Sequence, residues 1–197
     1  MLAVGLLVAL IVFARSNAGW VHRLDVSFDD NLNGYVAGHP AQVSTWKVVS
    51  DIGGPLTWRI LAGGAALVLF LRHLRREAVL VVVAMVGAWV SSGTIKALVD
   101  RHRPIVPTPV DHVGGGSFPS GHALTSFTAL GLLVLLIWPI TSRWWRALVV
   151  TAAALVVLGI GFSRLILGVH YLTDVLGGWL IGLLLLIAAT QAIRARR

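Results

Sequence analysis

The 197-residue chain contains no cysteine, which excludes disulfides and thiolate metal ligands together. Charge is almost as scarce, at 12% of the residues against 57% hydrophobic ones, and the mean hydropathy is +0.85. So few charges exclude a soluble domain of ordinary composition. In the second half of the sequence Asp100 and Asp111 are isolated and Asp174 lies four residues from His170, so no carboxylate cluster for a divalent metal is available there. Neither a metal nor another cofactor is expected. Lysine occurs only at 47 and 96 among 16 basic residues, a skew that fits codon usage in a GC-rich bacterium. The formal charge of +8 is spread between apolar runs and forms no stripe, which argues against a nucleic-acid partner.

Long apolar runs are what the sequence does have. A transmembrane helix needs about 20 mostly apolar residues, and segments 55–71, 78–98, 122–141, 147–167 and 171–192 come close. A sixth, MLAVGLLVALIVF, is shorter. It has the length of a signal-peptide apolar region, but no basic stretch precedes it and ARSNAG is a weak cleavage site, so it is read as a first helix. The expectation is an all-α bundle of six transmembrane helices forming one membrane-integral domain over residues 1–197.

Orientation follows from the short loops. With the N-terminus in the cytoplasm, the stretches 72–77, 142–146 and 194–197 place Arg72, Arg75, Arg76, Arg143, Arg146, Arg194, Arg196 and Arg197 inside. Of the remaining basic residues, Lys96, Arg101, Arg103 and Arg164 lie in or beside motifs that need cations for another purpose. Setting those aside, the inner side is the more basic, as the positive-inside rule requires. Trp138, Trp144 and Trp145 then fall near the inner boundary and Trp20, Trp46 and Trp58 near the outer one, as interface anchors should. Glycines 159, 161, 177, 178 and 182 would let helix backbones approach closely.

In that topology three polar clusters meet at one membrane face. The first is KALVDRHRP: Lys96 and Arg103 are seven residues apart and share a face if the helix runs that far, although Pro104 biases Arg103 out of helical geometry. An interfacial basic anchor, with Asp100 pairing Lys96, is the plain alternative. The second is FPSGH. A helix beginning near Ser120 presents free N–H groups and its positive dipole end, a ready site for phosphate; Ser120 adds a hydroxyl and Gly121 permits close approach. A simple N-cap would account for Pro119, Ser120 and Gly121, but not for His122. The third is SRLILGVHYLTD. His170 and Asp174 are four apart, and a carboxylate on one ring nitrogen fixes the tautomer and aims the other nitrogen, as a nucleophilic or basic histidine requires. Arg164 ends the preceding span, where it would either serve the site or snorkel to the interface. Cations and N–H donors around two histidines describe an anion site for phosphoryl transfer without metal.

These residues resemble the signature of the type 2 phosphatidic acid phosphatase superfamily: lysine, six residues, then RP; next PSGH; last SR, five residues, H, three residues, D. Lys96 with Arg103-Pro104, Pro119-Ser120-Gly121-His122, and Ser163-Arg164 with His170 and Asp174 meet it in order. The resemblance implies a membrane lipid phosphatase. His170 would form a phosphohistidine, Asp174 would orient it, and His122 would protonate the leaving oxygen and then activate water. Lys96, Arg103, Arg164, Ser120 and the Gly121 N–H would bind the phosphate oxygens. Lipid phosphates or pyrophosphates in the bilayer of a multi-pass cell-membrane protein are the expected substrates, with the site on the extracytoplasmic side: isoprenoid-carrier diphosphate, phosphatidylglycerol phosphate or phosphatidic acid. Two other readings stand beside this one. A lipid-phosphate binder or flippase explains the cations but not the histidines, and haloperoxidase chemistry with vanadate is known from soluble relatives. Residues 105–118, with Asp111 and His112, are either a headgroup-reading lid or a connector. Residues 20–52 read as an outer interfacial helix and loop, and the sequence assigns no oligomeric state.

Overall fold

The computed structural model describes residues 2–16, 19–106 and 114–194. Among them every regular element is helical: α1 (Leu2–Ser16), α2 (Gly19–Ala37), α3 (Pro40–Ile52), α4 (Pro55–Leu71), α5 (Arg75–Val99), α6 (Gly121–Ile137), α7 (Arg143–Ile166) and α8 (Leu172–Arg194), with a 3₁₀ turn at Trp138–Ile140. Five stretches are long and apolar enough to cross a membrane: Pro40–Leu71, Arg75–Val99, Gly121–Ile140, Arg143–Ile166 and Leu172–Ile193. The first apolar run qualifies only when α1 and the bent-away α2 are taken together. The six expected segments are mainly helical, and residues 20–52, expected as a helix and loop, form two helices, α2 and α3.

The punctuation between helices is local chemistry. Pro40 and Pro55 open α3 and α4 in their first turns, where a missing N–H costs nothing and φ is already helical. Val99 ends α5 because Asp100 adopts a left-handed conformation, φ 45°, a geometry Asp tolerates better than most residues. Gly168, at φ 64°, turns the chain between α7 and α8. α8 packs most extensively on α6, which also contacts α4, α5 and α7. The ends of α5 and α7 and the starts of α6 and α8 therefore meet at one end of the bundle.

Glycines make the α6–α8 contact close. A Cβ on Gly178 would lie 2.7 Å from the Ser120 carbonyl oxygen, and one on Gly177 would lie 2.5 Å from the Phe118 ring. Gly161 is closed off in the same way by Trp179, but Gly159 has open space, so of the two glycines expected on α7 one serves packing. Trp58, expected as an interface anchor, instead packs against the core formed by Ala66, Val81, Met85 and Leu132. Trp138, Trp144 and Trp145 are exposed at the far end, as expected.

Helix α2 buries a polar row. Asp25, Asp29 and Asn33, spaced by four, are all buried, while Trp20, Leu24 and Tyr35 on the outside are 58%, 57% and 62% exposed. Arg23, Ser27 and Asp30 occupy a separate exposed flank. The helix thus turns Asp25, Asp29 and Asn33 into the protein beside Val21 and Val36, and Trp20, Leu24 and Tyr35 outward.

Gly178→Ala is expected to destabilise the fold by roughly 1–3 kcal/mol, the usual cost of overpacking, because the new methyl meets backbone. Gly159→Ala is expected to be neutral or stabilising by up to about 1 kcal/mol through helix propensity. Thermal unfolding of the two variants in detergent checks the contrast.

Candidate active site

The site is assembled where α8 begins. Asp174, fully buried, lies in the first turn of α8 and accepts the Tyr171 N–H at 2.9 Å through Oδ2. This is the carboxylate half of a capping box, a side chain reaching back to the N–H just ahead of the helix. The same oxygen meets His170 Nδ1 at 3.4 Å. The backbone carbonyl of Asp174 accepts the Ser120 N–H at 3.0 Å, which ties the start of α6 to the start of α8. His170 itself sits in the turn before α8, not on the helix, so the expected shared helical face is replaced by a turn that keeps the pairing.

The other ring nitrogen of His170 is aimed at cations. Arg103 Nη1 lies 3.3 Å from Nε2 and donates to the Val169 carbonyl at 2.6 Å. Burial pushes the His170 imidazole down to about 4, against the hydrogen bond and charge of Asp174, which push it up. The ring is therefore neutral at neutral pH, with an unprotonated nitrogen available.

Lys96 and Arg103 do come together, but not along a helix. α5 stops at Val99, and the two side chains converge instead on one carbonyl: Lys96 Nζ donates to Gly116 O at 2.5 Å, and Arg103 Nη2 donates to the same oxygen at 3.3 Å. Arg103 also donates to the carbonyls of Gly114 and Gly115. Residues 114–118 are thereby held against the site, with the Ser117 N–H donating to Arg101 O at 2.8 Å. Asp111 and His112 lie outside the described residues.

Arg164, at the end of α7, is 2% exposed and donates to the Ser50 hydroxyl of α3; it does not snorkel. His122, in the first turn of α6, hydrogen-bonds the Ser50 backbone, so Ser50 sets both the cation and the second histidine. Ser120 is the N-cap residue of α6, yet its hydroxyl makes no capping bond. Its Oγ is buried without a hydrogen-bond partner among the described residues. Gly121 leaves the helix start open, since a Cβ there would find only Ser92 and Pro55 at 3.7 and 3.9 Å. A buried hydroxyl lacking a partner, beside two histidines and three cations, is a donor set suited to an oxyanion.

Sequence reasoning missed a second layer. Arg101, between Lys96 and Arg103, turns away from the cations, and its Nη1 donates to Asp174 Oδ1 at 2.7 Å while its Nη2 donates to Asp25 Oδ2 at 2.8 Å. Arg101 also lies over the Tyr171 ring, 4.2 Å from its centroid. Burial disfavours its charge, but Asp174 and Asp25 outweigh this and raise its pKa. The regular spacing of Asp25, Asp29 and Asn33 was the one sequence signal that α2 buries a polar face.

Comparisons with known proteins bear on the family and the fold. A family profile described as the PAP2 superfamily matches residues 77–197. Phosphatidylglycerophosphatase B of Bacillus subtilis is 36% identical over 94 residues, covering 46% of this chain and 45% of the relative, so the chain spans about half the length of that protein. Decaprenylphosphoryl-5-phosphoribose phosphatase of Mycolicibacterium smegmatis is 35% identical over 150 residues, 73% of this chain and 74% of that one. The crystal structure of a transmembrane PAP2-type phosphatidylglycerolphosphate phosphatase from Bacillus subtilis superposes with a TM-score of 0.80 at 22% identity, covering 99% of this chain and 97% of that one. The fold is shared from end to end.

Ser120→Ala separates a cap from an anion donor. Loss of a true cap would cost about 1 kcal/mol, whereas deleting a hydroxyl without a partner is expected to leave stability within about 0.5 kcal/mol. Thermal shift in detergent, with and without inorganic phosphate, is expected to show unchanged basal stability and a smaller phosphate-induced shift than wild type.

Proposed function

The chain belongs to the PAP2 superfamily, and from that membership we propose that it is a membrane-integral phosphatase that hydrolyses lipid phosphate monoesters or diphosphates through a phosphohistidine. The observation that carries the reading is His170, held by Asp174 through Nδ1 and facing Arg103 through Nε2. The Nε2 lone pair attacks phosphorus, the bond from phosphorus to the lipid-side oxygen breaks, and His122 donates its proton to that oxygen. The products are a lipid alcohol, or a lipid monophosphate from a diphosphate, and a phosphorylated His170. Water then attacks the phosphorus, His122 takes its proton, and the N–P bond breaks to release inorganic phosphate.

Lys96, Arg103, Arg164, the Ser120 hydroxyl and the Gly121 N–H hold the non-bridging oxygens as charge redistributes in the transition state. Ser120 Oγ, buried without a partner among the described residues, supports that role. Residue by residue, the donors are fixed by carbonyls, by Ser50 and by the start of α6, so little reorganisation accompanies the reaction.

In this reading α1 and α4 to α8 are the six spans, and α2 and α3 lie at the extracytoplasmic face beside the site. Arg72, in the turn between α4 and α5, and Arg143, at the start of α7, fall at the other end and are exposed, as a cytoplasmic face requires. A site at headgroup depth suits a phosphate presented while its tails stay in lipid. The relatives at 36% and 35% identity carry names for a phosphatidylglycerophosphatase and for a phosphatase of a decaprenylphosphoryl sugar phosphate; what they share is a phosphate joined to a membrane lipid.

His170→Ala is expected to lower phosphate release by at least about 10³-fold while the protein remains folded. The assay is phosphate release in detergent, with chelator present, from purified phosphatidic acid, phosphatidylglycerol phosphate and an isoprenoid diphosphate. Wild-type activity in this variant, or activity that requires added divalent metal, contradicts the mechanism. A lipid phosphate retained unhydrolysed by the wild type assigns a binding role instead.

A further inference from the structure

α8 begins with two carboxylates at its N-terminus, and only one belongs to the helix. Asp174 accepts the Tyr171 N–H. The Thr173 N–H instead donates to Asp25 Oδ1 of α2 at 3.1 Å, and the Thr173 hydroxyl donates to Asp25 Oδ2 at 2.6 Å. Arg101 then closes a ring: it donates to Asp25 Oδ2, to the Thr173 hydroxyl at 2.7 Å and to Asp174 Oδ1. All four side chains are buried, with Asp25 1% exposed.

The charges explain the arrangement. Asp174 alone with Arg101 would form a tight pair whose carboxylate is drawn away from His170. Asp25 supplies a second negative charge on the far side of the guanidinium, so Arg101 is shared between two carboxylates. Asp174 then keeps Oδ2 for His170 Nδ1 and the Tyr171 N–H while Oδ1 is pinned. Being fully desolvated, these bonds are strong and directional.

We propose that Asp25 is a positioning residue for the phosphoryl-transfer site, acting through Arg101 and Thr173 on Asp174 and hence on His170. The inference rests on the phosphohistidine reading. The hydrogen bonds of Asp25 run to Arg101 and Thr173; its effect passes through the angle and basicity that Asp174 gives to the His170 ring.

The test compares Asp25→Asn with wild type and with Asp30→Asn, an exposed neighbour on the same helix. Asp25→Asn is expected to lower kcat by about tenfold to a hundredfold, the range for a small misplacement of a catalytic group, with KM within about twofold. It should also move the acid limb of kcat/KM to lower pH. His170 is faced by Asp174, Arg103, Arg164 and His122, and losing the Asp25 charge leaves Arg101 less neutralised, so the imidazolium forms only at lower pH. Substrate ionisation contributes equally to each variant and drops out of the comparison. Asp25→Glu should restore part of kcat, and Asp30→Asn should behave as wild type.

Wild-type kcat and pH profile in Asp25→Asn overturn the proposal, as does an activity loss that only tracks loss of folded protein with the profile unchanged. If Asp25→Asn does not fold, Thr173→Val serves, because it cuts the hydroxyl link without changing charge: lowered kcat at unchanged KM supports the proposal, and wild-type kcat overturns it. Failure of the phosphatase reading itself shows separately, as an inactive wild type or an active His170→Ala.

Discussion

The Asp174 carboxylate is the constraint on which the rest of the site depends. It is fully buried, and an ion in that position is tolerated only when every lone pair has a donor. Arg101, the Tyr171 N–H and His170 supply them. Removing one partner from such a buried pair typically costs ~3–5 kcal/mol, so the chemistry of the site and the stability of this end of the bundle are the same set of bonds. The backbone of the same residue anchors the start of α6 through Ser120. One position therefore fixes the second histidine's helix as well as the first histidine's ring.

Around this centre the cations divide into two groups by what holds them. Lys96 and Arg103 both donate to neutral carbonyls of residues 114–116, which orient them. Arg101 is neutralised twice over by carboxylates and has no charge left to offer a ligand. Two arginines two residues apart thus turn to different partners. In the proposed phosphatase, the phosphate would meet the first kind and not the second.

Much of this was legible in the sequence, because the three clusters recur at spacings that force their helices to one end of a bundle. The spans at 55–71 and 171–192 were readable to within two residues, since long apolar runs bounded by proline, arginine and glycine leave little choice. The route was less legible than the destination. Lys96 and Arg103 seemed two turns apart on one helix, yet α5 ends at the left-handed Asp100 and a loop carbonyl brings them together. Ser120 looked like a cap, and its hydroxyl caps nothing. Arg101 was counted with the other cations because only the fold shows which way it turns. Asp25 and Ser50 were not found at all: their partners lie 148 and 114 residues away, and no local pattern reports a contact of that separation.

The polar row that α2 buries has a consequence for how the protein is made. Chains emerge from synthesis N-terminal end first, so Asp25 leaves the ribosome long before Arg101 and longer still before Thr173. Until those partners arrive its carboxylate stays in water, and α2 has no buried place to go. Non-local contacts of this kind repay their ordering entropy only when the distant segment is in place. Helix α2 is thus synthesised before the segments that hold Asp25, and its docking requires that the start of α8 has been built.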